Sequence, residues 1–180
     1  MPQVIGIKRN SALKDAKAVQ LRHNAISVRI FGMDPAINPR TLADFVTHDE
    51  QNDVWPKYVA VNSRLLDKLE LVFTELGGAV RPDLAVDVHS GFRSPSHNAR
   101  VPRAASDSRH QYGDAADVVV DADGDGRITM TDEMLVMLAV EKVEDKHPDL
   151  VGGLGMYISS RYPTPYVHID ARGKRVRWKG

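Results

Sequence analysis

Hydrophobic and polar positions follow two different periods along this chain, and the switch between them marks its elements. In NSRLLDKLELVFTELGG, Leu65, Leu66, Leu69, Val72, Phe73 and Leu76 recur at helical spacing. Asn62 or Ser63 can cap the start of that helix, and Gly77 and Gly78 can end it. LAVDV (84–88) predicts a strand, SGFRSPSHN a turn-rich loop, and AADVVV (115–120) a second strand. A helix is predicted from about Thr131 to Lys146, with Met134, Leu135, Leu138 and Val143 on one side. GGLGMYI and YVHIDARGKRVRW close the chain, the latter reading as a hairpin with Gly173 and Lys174 at the turn. The first 55 residues are less patterned. VIGI and AISVRIFGM read as short strands, and PRTLADFV as a short helix with Pro39 near its start. Strands and helices mix without regular βαβ alternation, which predicts an α+β fold with an antiparallel sheet flanked by helices.

Composition narrows the chemistry. Of the 180 residues, 42% are hydrophobic, enough for a substantial core. Lys plus Arg number 24 and Asp plus Glu number 24, so no global charge points to nucleic acid. There is no cysteine, which excludes disulfides, thiolate metal sites and a cysteine nucleophile. No apolar run approaches the roughly 18–20 residues that span a bilayer.

Three features carry candidate chemistry: His110 and Asp117 in SRHQYGDAAD, His168 in YVHID, and Arg93 in SGFRSP. Singly, each has a plain structural reading: a satisfied core histidine, a carboxylate before a strand, a surface ion pair. Together they suggest zinc, because a catalytic site takes three imidazole or carboxylate ligands and leaves a fourth position to water. Gly113, Ala115 and Ala116 would let the backbone pass close to such an ion.

In this order, SGFRSPSHN, SRHQYGDAAD, GGLGMY and YVHID resemble the M15 metallopeptidases, the D-alanyl-D-alanine carboxypeptidase and peptidoglycan endopeptidase group. Their fold is shared with the hedgehog signalling domain. The motif SxHxxGxAxD is met by Ser108, His110, Gly113, Ala115 and Asp117, and the resemblance spans roughly residues 60 to 178. It implies His110, Asp117 and His168 as zinc ligands, a metal-activated water as nucleophile, and peptidoglycan stem peptides or their crosslinks as substrate. It implies that Arg93 holds a carboxylate or carbonyl of the peptide, a task suited to a planar fork of donors, with Ser108 and Tyr112 beside it. Many members carry a Glu three residues before the last His ligand; here Pro165 stands there, and Tyr166 excludes an HxH arrangement. The nearest acid is Asp170, expected on the same strand face as His168, either as general base or as a partner that orients a ligand. His89, His97 and Tyr166 are further candidates for the cleft wall. The rival reading keeps the metal and loses the catalysis: a binding module of hedgehog-like fold.

Directly after the Asp117 strand, DADGDGRITMTD (121–132) fits the spacing of an EF-hand calcium loop. Asp121, Asp123 and Asp125 take positions 1, 3 and 5, Gly126 the sharp turn at 6, Arg127 a backbone carbonyl at 7, and Asp132 position 12. The stretch also resembles dockerin loops, where Asp stands at position 12. A structural or regulatory Ca2+ is expected beside the catalytic Zn2+. Residues 1–55 are expected to form an extension packed on a 56–180 peptidase domain. The expected state is a monomer with a peptide substrate, no nucleic-acid partner and no membrane span. MPQVIGIKRNSALKDAK lacks the apolar core of a secretory signal, which suits a phage-type lysin or the mature form of an exported enzyme acting at the bacterial cell wall.

Overall fold

The computed structural model describes residues 4–7, 59–77, 84, 86–158 and 164–180. The strand and helix expected in AISVRIFGM and PRTLADFV lie outside the described residues. Strand β1 (Val4–Ile7) pairs antiparallel with β2 (Val59–Asn62), as its VIGI pattern suggests. Helix α1 (Ser63–Glu75) follows at once. Its Asn62 cap accepts a hydrogen bond from the Arg64 amide at 2.9 Å, and Gly77 takes a left-handed φ of +91° beyond its end.

The main sheet holds β3 (Val86–Ser90), β4 (Ala115–Val120), β5 (Gly153–Tyr157), β6 (Tyr166–Asp170) and β7 (Val176–Lys179), in the order β3-β4-β6-β5-β7. Helix α2 (Pro95–Asn98) and a 3-10 turn (Arg109–Tyr112) lie between β3 and β4, and helix α3 (Met130–Lys146) lies between β4 and β5. The α+β class therefore holds, with one change to the sheet. The hairpin expected in YVHIDARGKRVRW does not form: β5 lies between β6 and β7, and β7 pairs with β5 in parallel. The connection crosses the end of β5, where the Gly173 amide donates to the Val151 carbonyl and the Val176 amide to the Gly152 carbonyl. A local turn signal at Gly173 reports that the chain bends, not which strand the returning segment meets.

One face of the sheet is dry. Ala116, Val118 and Val120 of β4, Leu154 of β5, and Val167 and Ile169 of β6 pack against Leu65, Leu66, Leu69, Val72 and Phe73 of α1 and Val136, Ala139, Val140 and Val143 of α3. The α3 face differs from expectation. Met134 and Leu138 are 46% and 51% exposed, while the smaller Val136, Ala139 and Val140 turn inward with Val143. Both stripes have helical spacing, and Leu135, one of the expected residues, packs against the core at the edge of the contact. Since strand side chains alternate, Asp117, His168 and Asp170 must emerge on the opposite face.

Candidate metal centre

The sheet register builds this site. Ser90 is opposite Asp117, Asp117 opposite His168, His168 opposite Gly155, and Gly155 opposite Trp178. One row of side chains thus crosses all five strands. A shift in register between Val88 and Ser90 brings Ser90 into that row.

His110 joins from the loop side. It sits on the 3-10 turn that Gly113 closes with a φ of +69°. Its Nδ1 donates to the Gly91 carbonyl at 2.6 Å, so Nε2 is the nitrogen left for other work. That Nε2 lies 3.3 Å from Asp117 Oδ1 and 3.2 Å from His168 Nδ1, and His168 Nδ1 is 2.9 Å from the same Asp117 oxygen. The other nitrogen of His168, Nε2, lies 3.2 Å from Asp170 Oδ2. Each imidazole is therefore held at one nitrogen, by a carbonyl or by a carboxylate, and presents the other to a common point. That is the usual support of a metal-bound histidine.

The donor set suits zinc. Two imidazole nitrogens and one carboxylate oxygen are ordinary zinc ligands, and bonds of about 2.0–2.1 Å in a tetrahedron put ligand atoms about 3.3 Å apart. The separations here are 2.9, 3.2 and 3.3 Å. All three residues are buried, and they form one of two groups among the described residues whose donor atoms lie close enough to share an ion. Burial disfavours the Asp117 carboxylate, but the charges and hydrogen bonds of His110 and His168 outweigh it and hold the group well below the usual range. Burial also opposes charge on His168, yet its hydrogen bonds to Asp117 and Asp170 push it up to about 9.

Asp170 shares the face of His168, as the strand period requires. It is 0% exposed. Its Oδ1 accepts from the Gly153 amide at 2.7 Å and from the Arg172 amide at 3.1 Å, and both oxygens receive the Arg172 guanidinium. Burial raises its pKa, but His168, Arg172 and the Gly153 amide drive it far below the normal range. Of the two roles expected for Asp170, this geometry suits the orienting one. Both of its oxygens are already taken up by Gly153, Arg172 and His168. The glycines of GGLGM make room for it: a Cβ on Gly152 would overlap the Asp170 carbonyl, and one on Gly153 its carboxylate. A Cβ on Gly155 would overlap the Trp178 indole, whose ring centre lies 5.1 Å from that of His168.

The site opens into a cleft of about 620 Å3, bounded by the 101–109 segment on one side and by Tyr157, Tyr166 and Trp178 on the other. Tyr157 and Tyr166 stack at 4.4 Å, and the Trp178 indole donates to the Tyr157 hydroxyl at 2.9 Å. Arg93 and Ser108 line the cleft. Arg93 donates to Ser90 at 3.2 Å and to Asn98 at 3.4 Å, and its Nη2 is 4.0 Å from Asp117 Oδ2. Tyr112 does not line the cleft. It is exposed, donating to Asp107 with Arg109 over its ring. His89 and His97 are not in the cleft wall either, whereas Tyr166 is. Tyr157 closes the GGLGMY stretch but no site role was expected of it, and Arg172 and Trp178 had no motif to reveal them; the strand order brings all three to this face.

The sequence model of the Peptidase M15 family matches residues 44–147. That span contains Arg93, His110 and Asp117 and ends before His168. No curated protein and no solved structure matches the chain. The match covers more than half of the 180 residues, and the chain belongs to the M15 peptidases, a family of zinc-dependent metallopeptidases.

Proposed function

We propose that the chain is a zinc peptidase that hydrolyses peptidoglycan stem peptides or their crosslinks, as endopeptidase or carboxypeptidase. The convergence of His110 Nε2, Asp117 Oδ1 and His168 Nδ1 at the floor of an open cleft carries this reading. Zinc bound there supplies Lewis acidity to a peptide carbonyl and lowers the pKa of a water in the remaining position. The chain's own residues do the rest. Gly91 and Asp170 fix the two imidazoles so that both ligand nitrogens face inward. Arg93 neutralises the outer oxygen of Asp117 and offers its fork to the peptide. The aromatic side gives an extended peptide an apolar surface and excludes water from one flank.

A second reading is favoured by one observation. Among the described residues, the carboxylates that line the cleft are Asp107 and Asp117, and Pro165 stands where many relatives have a glutamate. A metal-bearing module that binds peptide without cutting it would need no further acid. Purified peptidoglycan incubated with the zinc-loaded chain separates the two. Soluble peptides should appear, cease with chelator and return with added zinc. Binding without release under all three conditions selects the non-catalytic module.

The loop between β4 and α3 is read as a calcium site that stabilises the Asp117 strand. Its EF-hand spacing is joined by two observations. Carboxylate oxygens of Asp121, Asp123 and Asp132 lie within 4.8 Å of one another. Glu133, next to Asp132, is buried with neither carboxylate oxygen hydrogen-bonded. Gly124 and Gly126 take left-handed φ values of +78° and +82°, and nothing stands within 4 Å of a Cβ on Gly126. Backbone conformation, not crowding, explains glycine at Gly126.

A further inference from the structure

The cleft wall contains four arginines: Arg93, Arg103, Arg109 and Arg172. Three of them face carboxylates. Arg93 stands 4.0 Å from Asp117, Arg109 pairs with Asp114, and Arg172 pairs with Asp170. Arg103 makes no ion pair among the described residues, and it is exposed to the cleft. Asp107, the acid on the same rim, takes the Tyr112 hydroxyl instead.

The backbone at Arg103 is unusual as well. The Ala104 amide donates to the Val101 carbonyl at 3.2 Å, closing a tight turn across Pro102 and Arg103. Pro102 suits the second position of such a turn, but the third has a φ of +63°, a place where glycine is normally found. Arg103 is the only non-glycine residue with positive φ among those described. The chain therefore keeps a long cationic side chain at a position where its Cβ is unfavourable. Strain retained at a cleft rim, on a cleft arginine that pairs with no acid among the described residues, points to a ligand.

We propose that Arg103 reads a free carboxylate on the peptide substrate, so that the substrate class is an anionic peptide with a carboxylate reaching the 101–109 rim while its carbonyl reaches the metal centre. This rests on the peptidase reading above and narrows it. A guanidinium offers two parallel donors to a carboxylate, and the pairing with an amide is weaker because the charge is lost.

The test uses the zinc-loaded chain and two probes: a peptidoglycan stem tetrapeptide with its carboxylates free, and the same peptide fully amidated. Affinity is measured by calorimetry, and cleavage is followed in the same samples by mass spectrometry. The parent should bind the acid form about tenfold more tightly than the amide, the scale of a hydrogen bond to a charged group at a partly solvated site. Arg103→Gly should remove most of that preference while raising or preserving the melting temperature, since glycine accepts the +63° φ. Arg103→Lys should retain part of the preference. Equal affinity of the parent for both probes, binding of neither, or equal weakening of both in Arg103→Gly overturns the proposal. A parent that prefers the acid form but never cleaves it supports the Arg103 assignment and counts against the peptidase reading alone.

Discussion

Asp170 holds the Nε2 edge of His168 at 3.2 Å from two residues along the same strand, and so turns Nδ1 toward Asp117. In Asp170→Asn the side chain keeps its shape but loses the charge that faces Arg172 and His168. Zinc affinity should fall roughly 10- to 100-fold, and hydrolysis should fall with it and recover in part with excess zinc. Competition with a chelator dye gives the affinity. If hydrolysis collapses while zinc affinity is intact, Asp170 is the proton acceptor and the orienting role assigned to it is wrong.

Much of this relationship was legible in the sequence, because it is local. The spacing from His168 to Asp170 fixes a shared strand face, and SxHxxGxAxD brings His110 and Asp117 together within one turn and one strand. AADVVV forms β4 over the residues its pattern marks, and the α1 stripe is buried as its period predicts. What could not be read depends on pairings between distant segments. Trp178 reaches His168 only because β7 pairs with β5 and Gly155 leaves space between them. Lys68 is fully buried among the apolar residues of α1, where Glu144, 76 residues on, meets it. On α3 the expected stripe was half right: Val143 is buried and Leu135 packs against the core, while Met134 and Leu138 face outward and Val136, Ala139 and Val140 fill the contact.

Gly155 should not tolerate a side chain while Trp178 is present. A methyl there would meet the indole, and Gly155→Ala should destabilise the chain by roughly 1–3 kcal/mol, as overpacking does. Combining Gly155→Ala with Trp178→Leu should cost less than the sum of the two changes, because the smaller ring space accepts the methyl. Denaturant unfolding of the four proteins measures the coupling. Strict additivity would show that the contact between Gly155 and Trp178 does not constrain this face.

The Lys68 ammonium donates to Glu144 at 2.6 Å and to the Asp170 carbonyl at 2.8 Å. Burial lowers the Lys68 pKa, against the pull of Glu144. Glu144 also accepts from the Gly152 amide at 3.0 Å and from Arg177. Lys68→Met leaves Glu144 buried with part of its charge unmatched and should cost about 3 kcal/mol, the low end for breaking a buried pair, because Arg177 remains. Lys68→Met with Glu144→Gln should be milder than Lys68→Met alone, since glutamine still accepts from Gly152. Melting curves decide this; a double variant less stable than Lys68→Met would show that Glu144 keeps its charge for Arg177 and not for Lys68.

The calcium reading makes its own prediction through linkage. Asp132 already binds the loop to itself, with Oδ1 accepting from the Ala122 amide at 2.8 Å and Oδ2 from the Thr129 amide at 2.7 Å. Asp121 accepts from Gly124 and Gly126, so the loop is curled around its own carboxylates. A cation shared by Asp121, Asp123 and Asp132 would offset their mutual repulsion in the folded chain and would have little affinity for the unfolded one. At 100 times its dissociation constant calcium should therefore add about 2.7 kcal/mol of stability. Magnesium should add much less, because it requires a tighter octahedral shell and gives up its waters reluctantly. Asp121 directly follows β4, four residues from Asp117, so ordering the loop should also hold Asp117 against His168 and raise hydrolysis by the zinc-loaded chain. Thermal melting and peptidoglycan hydrolysis, each titrated with calcium and with magnesium, are compared between the parent and an Asp123→Ala, Asp125→Ala variant. The parent alone should respond to calcium. A matching response in the variant would reduce the loop to an acidic turn whose carboxylates cap its own backbone.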